Sequence, residues 1–427
     1  MENGTERTMH DLSHLTFQCG KVGRLMGLSA VPVLPGDGFE QDLVGGLRLS
    51  PLRRGMAVDS VVDICTFYVP HRHIYGQSWI DFIEQGWDES VNLTTESCGA
   101  QAASPACLAT GQLEANIVIP SFYPEGYRQI WNNYYRPPTT ISQRTDAMAS
   151  WTEADRDYGF RCANLKTLWT ALLANNVTGS DYNVAVNAGN VSLLDIERQR
   201  GYLKTEQERE FFDIRYRDII SSLGGSTTID ADNRPEMIMR STFWASGYDV
   251  DGTTEVSLGQ FSGRVVQAFR HRVPRYYCRE HGMIWTLALL RFPVVSEQEA
   301  HFFVNNPNPT YAEIAGDPAI VSTQPPYGLR LSDVFSASSD NTVRGYIPFA
   351  QWYRYQPSIV HRRFDLLNGF PFMSDIPSNV TEMVLVDSDD YNDVFQTDQL
   401  GHYQVHGRAT NTVMRRLPSA RDALMTD

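Results

Sequence analysis

The chain of 427 residues has very few lysines, no long apolar run and no net positive charge. Of its 36 basic residues only Lys21, Lys166 and Lys204 are lysine, and the formal net charge is -14. An acidic chain repels phosphate on average, so the composition disfavours a simple basic nucleic-acid binder. The longest strongly apolar stretch, Met283–Leu290, is far shorter than the roughly 20 residues that span a bilayer. The sequence therefore predicts no transmembrane helix.

The six cysteines form no Cys-x-x-Cys pair, and the N-terminus has no apolar segment. Scattered cysteines in a chain of this length favour free thiols in a reducing compartment over a disulfide framework. The first eight residues, MENGTERT, lack the apolar core of a signal peptide. These features predict a protein that is made in a cytoplasm and does not associate with a membrane.

Motifs of the common enzyme classes are also missing. The sequence contains no Gly-x-Ser-x-Gly elbow, no phosphate-binding Gly-x-x-x-x-Gly-Lys-[Ser/Thr] loop and no His-Glu-x-x-His motif. Carboxylate pairs of the kind used in glycoside hydrolysis can be drawn from 50 acidic residues, but the sequence singles out no pair. We therefore predict that the protein is not an enzyme.

Short segments rich in β-branched and aromatic residues are abundant, and turn residues separate them. With 42% apolar residues, 31 Gly and 22 Pro, the chain favours a large core of short strands over long helices. The segment Met283–Leu290 is apolar on both faces and is expected to lie between two layers. Five strands are predicted: Ser60–Val69, Phe261–Phe269, Gly282–Phe292, Thr381–Val386 and Gly407–Arg415.

Helical patterns are fewer and lie mainly between residues 70 and 237. The clearest is Thr205–Leu223, which begins with a capping box formed by Thr205 and Glu208. Ser78–Gln85 and Glu125–Tyr135 are two further predicted helices. Strands clustered on both sides of a long helical region favour an antiparallel sandwich with long insertions over alternating β-α units.

Three short motifs contain potential metal ligands. Asp249 and Asp251 resemble part of a calcium loop that lacks its other acidic ligands, and an Asx turn is the alternative interpretation. Asp422 lies close to the terminal carboxylate, where a frayed tail is the alternative. His71 and His73 would share one face of a strand, but the lack of a nearby third ligand favours structural hydrogen bonding. The prediction is no cofactor, with a structural divalent cation as a possible addition.

One segment is strongly basic. Between Arg264 and Arg279 the chain has five arginines and His271, interleaved with aromatic residues, and the first acid is Glu280. Arginine and aromatic side chains together are typical of surfaces that bind single-stranded nucleic acid. The alternative is a strand and turn whose arginines pair with acidic neighbours. The candidate nucleic-acid contacts are Arg53, Arg54, Arg270, Arg272 and Arg275.

The preference for arginine over lysine also has two interpretations. Arginine presents a planar fork of donors that suits interfaces and anion contacts. A coding bias that exchanges lysine for arginine gives the same composition without any physical requirement.

Several peptides identify a family. The chain resembles the major capsid protein of the microviruses, small tailless icosahedral bacteriophages with circular single-stranded DNA, and the peptides follow the same order from the N-terminus to the last residues. The peptides that carry the resemblance are His10–Leu15 (HDLSHL), Arg48–Gly55 (RLSPLRRG), Phe67–His73 (FYVPHRH), Asp230–Pro235 (DADNRP), Trp244–Thr253 (WASGYDVDGT), Ser257–Arg264 (SLGQFSGR), Ile314–Pro318 (IAGDP), Gln351–Arg354 (QWYR), Gly369–Phe372 (GFPF), Arg421-Asp422 and Met425-Thr426.

The resemblance implies an all-β fold, an eight-stranded antiparallel jelly-roll β-barrel with long inter-strand insertions that contain a few helices. It implies a single domain over residues 1–427, with the largest insertion at roughly 75–235 and a second at roughly 295–380. In function it implies a structural protein of the virion that is assembled in the host cytoplasm. Sixty copies would build the icosahedral T=1 shell around the single-stranded DNA.

The same resemblance implies partners. They are further copies of the chain, a spike protein, internal and external scaffolding proteins, a small basic DNA-packaging protein, and single-stranded DNA bound without sequence specificity. A shell of subunits that each carry -14 cannot neutralise the genome, so the packaging protein is expected to supply most of the positive charge. A carbohydrate-active or lectin-like β-sandwich protein is the alternative, because jelly rolls host both kinds of function.

Overall fold

The computed structural model arranges most strands in two antiparallel sheets. It describes residues 7–52, 59–84, 92–98, 106–111, 116–136, 141–163, 234–245, 265–292, 295–296, 299–306, 308–316, 327–335, 343–347, 349–354, 356–357, 359, 372–373, 392, 395 and 401–415. The strands are β1 Thr8–Asp11, β2 His14–Gly20, β3 Leu25–Val33, β4 Gly38–Leu49, β5 Ser60–Pro70, β6 Thr95–Ser97, β7 Val118–Pro120, β8 Glu236–Ala245, β9 Val266–Tyr277, β10 Gly282–Arg291, β11 Val295–Ser296, β12 Tyr327–Arg330, β13 Val343–Ile347, β14 Phe372–Met373 and β15 Tyr403–Arg415.

The helices are short and lie outside the two sheets. Residues Trp131–Tyr135 directly follow the helix Phe122–Ile130 and form a π-helical turn. The α-helices are α1 His71–Tyr75, α2 Gln77–Glu84, α3 Phe122–Ile130, α4 Glu153–Tyr158, α5 Phe302–Asn305, α6 Tyr311–Ala315 and α7 Leu331–Val334. In the described part of the chain, no helix is long and apolar enough to cross a membrane.

The strand order of the two sheets is that of a jelly roll. In the first sheet, β1 and β2 both pair with one side of β15, whose other side pairs with β4, and β4 pairs with β9. In the second sheet the order is β3-β10-β5-β8. Along the chain, β2, β4, β9 and β15 belong to the first sheet, and β3, β5, β8 and β10 to the second. The predicted all-β jelly roll of eight antiparallel strands is therefore confirmed.

The first sheet alternates buried and exposed side chains. Along β15 every second residue from Tyr403 to Val413 is buried, which leaves the residues between them on the outward face. Leu43 and Phe269 of this sheet pack against Ile64 and Ala288 of the second sheet. One face of the first sheet thus forms the core of the sandwich, and the other faces outward.

The second sheet is covered on both faces. All residues of β5, and those of β10 from Gly282 to Leu290, are buried, which confirms that the apolar segment lies between two layers. The third layer belongs to the insertion after β5, where Tyr127 and Trp131 pack against the outward face of the second sheet at Trp285 and Phe67. The Tyr127 hydroxyl donates a hydrogen bond to the Leu25 carbonyl oxygen of β3 at 2.6 Å.

Two long segments separate the strands of the jelly roll. Residues 71–235 lie between β5 and β8, and residues 292–402 lie between β10 and β15. The second segment has a small core of its own, in which the Phe302 and Trp352 rings stack with their centroids 4.7 Å apart. The assignment of the whole chain to a single domain with insertions at 75–235 and 295–380 stays a prediction.

Most predicted strands and helices agree with the structure to within a few residues. Of the strand predicted at Phe261–Phe269, residues 261–264 lie outside the described residues. Its predicted end is wrong, because β9 (Val266–Tyr277) continues through the arginine-rich residues to Tyr277. The helix predicted at Glu125–Tyr135 begins earlier, at Phe122, since Pro124 is tolerated in a first helical turn. The predicted helix Thr205–Leu223 and strand Thr381–Val386 lie outside the described residues.

Candidate nucleic-acid interface

Strand β9 separates the basic segment into two faces. Arg270 and Arg272 point outward from the first sheet, whereas Phe269, His271 and Val273 between and beside them are buried in the core. The period of two in a strand produces this separation. The arginines and the histidine of the segment therefore do not form one continuous surface.

Both outward arginines pair with acids on the neighbouring strand β4. The Arg270 Nε donates to Asp42 Oδ1 at 2.9 Å, and an Arg272 terminal nitrogen lies 3.4 Å from Glu40 Oε1. The hydrogen bond from Arg270 holds the pKa of Asp42 below its usual value. These are the ion pairs that the alternative interpretation expects. Contact with DNA at these arginines stays a prediction. The ion pairs do not contradict it, because exposed ion pairs contribute little free energy and can exchange partners.

The remaining candidate contacts have different surroundings. Arg275 is exposed and has no carboxylate partner among the described residues. Arg53 and Arg54 lie outside those residues. The Tyr276 hydroxyl donates to Glu236 at 2.7 Å and its ring packs on Tyr68, so Tyr276 does not present a ring face to solvent beside the arginines.

The inward side of the segment is a buried polar network that joins the two sheets. Thr286 donates to the Gln41 Oε1 at 2.7 Å, and Thr66 Oγ1 lies 3.1 Å from Thr286 Oγ1. His271 Nε2 lies 2.9 Å from Thr66 Oγ1, and its Nδ1 lies 2.8 Å from Ser241 Oγ. Because each hydroxyl has one proton, this chain is satisfied when His271 is neutral, with the proton on Nε2.

Burial also disfavours the charged form of His271. Its side chain is fully buried, and desolvation lowers its pKa to about 4. The Nε2 amide nitrogen of Gln41 is buried without a hydrogen-bond partner in the described residues. The network is thus a neutral, polar contact between the sheets.

A second group of outward residues on the first sheet is not among the contacts predicted from the sequence. The register aligns Phe17 of β2 with His406 of β15, His406 with Gly46 of β4, and Gly46 with Ala268 of β9. Period-two alternation of polar and apolar residues across 403–413 would have placed His406 and its neighbours on the solvent face.

The metal candidates gain no support from the described residues. Asp249, Asp251 and Asp422 lie outside them, and within them no group of three or more His, Cys, Asp or Glu could hold a metal ion. His71 and His73 lie in α1 and not in a strand as expected, so they do not share one face as alternate strand residues would. The chain turns into a helix directly after Pro70, which suits a position before a helix. A structural cation stays a prediction.

Most carboxylates buried in the described residues contact an arginine. Asp63 of β5 accepts a hydrogen bond from Thr242 at 2.7 Å and forms ion pairs with Arg240 and Arg291. Burial opposes ionisation of Asp63, but these partners hold its pKa below the usual value. Similar pairs are Arg24–Asp155, Arg128–Glu96, Arg144–Asp146, Arg144–Asp155 and Arg415–Asp37. Many arginines therefore act as forks within the chain, which is consistent with the structural interpretation of the lysine-poor composition.

The cysteines agree with the sequence analysis. All six are free thiols; Cys19 is exposed, and the other five are buried. Burial raises the pKa of the buried thiols, for example that of Cys278 to about 12.

The jelly roll with long insertions is an architecture that viral capsid proteins share with lectin domains and cupins. The comparison with known proteins narrows the class. A family model described as "Capsid protein (F protein)" matches residues 1–196 and 183–425. The chain belongs to this family of phage capsid proteins and is a structural component of a virion.

Individual relatives cover the whole chain. It is 45% identical to the capsid protein F of Escherichia phage G4 over 427 residues, which is 100% of this chain and 99% of the relative. It is 43% identical to the capsid protein F of Enterobacteria phage phiK over 436 residues, and 43% identical to that of Escherichia phage alpha3 over 432 residues, each with 100% of this chain and 99% of the relative covered. The resemblance to microvirus capsid proteins is confirmed, and the carbohydrate-active alternative finds no support.

Proposed function

We propose that this chain assembles with copies of itself into a closed icosahedral shell of sixty subunits around a single-stranded DNA genome. The observation that carries the proposal is membership of the capsid family together with a jelly roll whose strand order is complete. In this proposal the sandwich is the rigid framework of the subunit. The long segments 71–235 and 292–402 supply surfaces for contacts with neighbouring subunits.

The proposed role is non-enzymatic. The buried carboxylates Asp37, Asp63 and Asp155 each form an ion pair with an arginine, and these partners hold the pKa of Asp63 below its usual value. A pair of carboxylates prepared for acid-base chemistry would instead have its two pKa values pushed apart. This supports a function that depends on packing and assembly.

The proposed partners follow from the family resemblance. They are the spike protein, internal and external scaffolding proteins and a small basic DNA-packaging protein, in addition to other copies of this chain. Arg53, Arg54, Arg270, Arg272 and Arg275 are proposed to add modest contacts to DNA that do not depend on its sequence. Since Arg270 and Arg272 pair with acids, phosphate would have to exchange with Asp42 and Glu40.

Electron microscopy of particles purified from infected or co-expressing cells tests the proposal. We expect a uniform population of small closed particles that contain this chain and DNA, with sixty copies per particle by particle mass. A stable monomer at high concentration, in the presence of the scaffolding and packaging proteins, would contradict the proposal.

A further inference from the structure

We propose that single-stranded nucleic acid binds across the outward face of the first sheet, with bases stacked on Phe17 and His406 and phosphates held by Arg48 and Arg408. The inference rests on the proposed function, because it takes nucleic acid to be a ligand of this chain. It names a position for that ligand which differs from the arginine segment that the sequence analysis singled out.

Phe17 and His406 are neighbours in a row that crosses the sheet. They are register partners on β2 and β15, and both side chains point away from the core. Phe17 is 72% exposed, although it is one of the largest apolar side chains on this surface. Exposed ring faces on adjacent strands form the kind of platform on which successive bases stack.

The row continues over two residues with almost no side chain. His406 is the register partner of Gly46, and Gly46 is the partner of Ala268. A Cβ atom at Gly46 would lie only 2.8 Å from the His406 ring, so the imidazole lies over the glycine. The imidazole therefore occupies the space above Gly46, and it is itself exposed, so its ring is available for stacking beside Phe17.

Arginines flank this row on both sides. Arg48 lies two residues beyond Gly46 on β4, and Arg408 lies two residues beyond His406 on the antiparallel strand β15. The two guanidinium groups therefore stand on opposite sides of the row, each about 7 Å along its strand. A single strand that crosses the row can therefore meet one arginine before and one arginine after its stacked bases.

The charge balance favours an anionic ligand over an acidic or neutral protein surface. Of the acids on this face, Asp42 and Glu40 are already paired with Arg270 and Arg272. Asp11 accepts hydrogen bonds from Ser13 and also interacts electrostatically with Arg408, although neither Arg48 nor Arg408 forms an ion pair with a described carboxylate. Arg48, and to a smaller extent Arg408, therefore supply the positive charge that is left beside the aromatic row.

The opposite side of the molecule provides a contrast. The outward face of the second sheet is covered by the insertion, in which Trp131 and Phe160 pack over the strands. No described element covers the outward face of the first sheet at Phe17, Leu15 and Val44, which are 72%, 64% and 50% exposed.

Binding of oligonucleotides to the purified full-length chain tests the proposal. Fluorescence anisotropy would compare an oligodeoxythymidine with an abasic oligonucleotide of the same length. We expect Phe17→Ala to weaken oligodeoxythymidine binding by about 5- to 100-fold, since base stacking contributes at this level, and to leave abasic binding nearly unchanged. Phe17→Tyr keeps a ring and should restore the affinity. Arg48→Gln with Arg408→Gln should lower the salt slope by about 1.4 for both oligonucleotides.

Two controls separate stacking from general surface effects. Tyr311→Ala removes an 82% exposed ring outside this face and should leave both affinities unchanged. Cys19 is the exposed thiol on the same strand as Phe17, so the bound oligodeoxythymidine should slow its alkylation by a maleimide.

The outcomes distinguish this proposal from the proposed function. If the wild-type chain binds both oligonucleotides and Phe17→Ala changes neither affinity, the stacking site is wrong while the shell with internal DNA stands. If Phe17→Ala prevents particle assembly but leaves oligonucleotide binding intact, the face is a protein interface and the proposal is also wrong. If the wild-type chain binds neither oligonucleotide, the DNA contacts of the proposed function fail as well.

Discussion

Arg270 and Asp42 face each other across two strands of the first sheet, with Arg270 Nε 2.9 Å from Asp42 Oδ1. A cluster of arginines along the sequence is thus partly neutralised by carboxylates that are more than 200 residues away in the chain. Local charge density in a sequence therefore overstates the positive potential of a strand whose neighbour is acidic.

The arginines of β9 can be tested through the salt dependence of genome retention. Replacing Arg270, Arg272 and Arg275 by Gln should flatten the dependence, because each lost phosphate contact lowers the slope by about 0.7. The expected decrease lies between about 0.7, if Arg275 alone contacts DNA, and about 2, if all three do. DNA release from purified particles as a function of NaCl concentration measures the slope. An unchanged slope in particles that assemble normally would count against contact between these arginines and the genome.

Removing the acidic partners gives the converse test. Asp42→Asn with Glu40→Gln leaves Arg270 and Arg272 free to bind phosphate, so the salt slope should rise by up to about 1.4. Glu153→Gln removes the charge of an exposed acid in α4, outside the first sheet, and serves as a control. A rise that is equal in the control would indicate a general charge effect and not release of the two arginines.

The buried histidine predicts a loss of stability in acid. Burial lowers the pKa of His271 to about 4, below the 6.5 of an exposed histidine, so the unfolded chain binds the proton more readily. The stabilisation is complete above about pH 6.5 and is lost as the pH falls towards 4, by about 3 kcal/mol in total. Urea unfolding of the wild type and His271→Gln from about pH 7 to about pH 4.5 measures the difference.

A second buried histidine, His71, also makes the unfolding free energy depend on pH in this range, so it needs a variant of its own as a control. Burial, with a smaller contribution from His281, also lowers the pKa of His71 to about 4. We expect His271→Gln and His71→Gln each to reduce the acid dependence of the unfolding free energy, and the double variant to reduce it most. The structure predicts that the His271 imidazole takes up a proton when the chain unfolds in acid. If the unfolding free energy of His271→Gln has the same pH dependence as that of the wild type, this prediction is wrong.

Substitution of Asp63 is expected to cause one of the largest losses of stability among the polar residues. Its side chain is 2% exposed and is bound by Thr242, Arg240 and Arg291. Asp63→Asn should lower the free energy of unfolding by about 3–5 kcal/mol, because it leaves buried guanidinium charge without its counterion. Urea unfolding at neutral pH measures the loss. Asp42→Asn, which breaks an exposed pair, should cost less than about 1 kcal/mol, and equal losses in the two variants would contradict the interpretation.

The contact between the third layer and β3 depends on a glycine. Gly159 has φ +86°, and a Cβ atom there would lie 1.9 Å from the Leu25 carbonyl oxygen. Gly111 has φ +77° and no atom within 4 Å of such a Cβ, which makes it a control with a similar positive φ but no clash. Gly159→Ala should therefore destabilise by several kcal/mol and Gly111→Ala by about 1 kcal/mol. Equal melting temperatures for the two variants would show that the third layer adjusts freely.

Local patterns were sufficient to predict the jelly-roll strands with apolar faces. Ser60–Val69 and Gly282–Phe292 differ from β5 and β10 by one residue at one end, because both strands are apolar on both faces and end at turn residues. The strand in which Arg270 alternates with His271 extends beyond its predicted end at Phe269, because its exposed positions are charged. Burial of alternate residues, and not their average hydropathy, determines that it is a strand.

The candidate site depended on pairings that one sequence does not display. Arg270 could be recognised as exposed from its period, but its partner Asp42 follows only from the register of β4 and β9. The row of Phe17, His406 and Gly46 likewise brings together residues from both ends of the chain. Non-local register of this kind depends on the tertiary fold.

The pairing of β1 with β15 has a practical consequence for engineering. Thr8 is the register partner of Arg415, so the first and last strands finish side by side at one corner of the sheet. A short linker from Arg415 directly back to Arg7 would join the two strands into one continuous segment. A circular permutant built in this way, with new termini inside one of the long segments between strands, would keep every pairing of the sandwich.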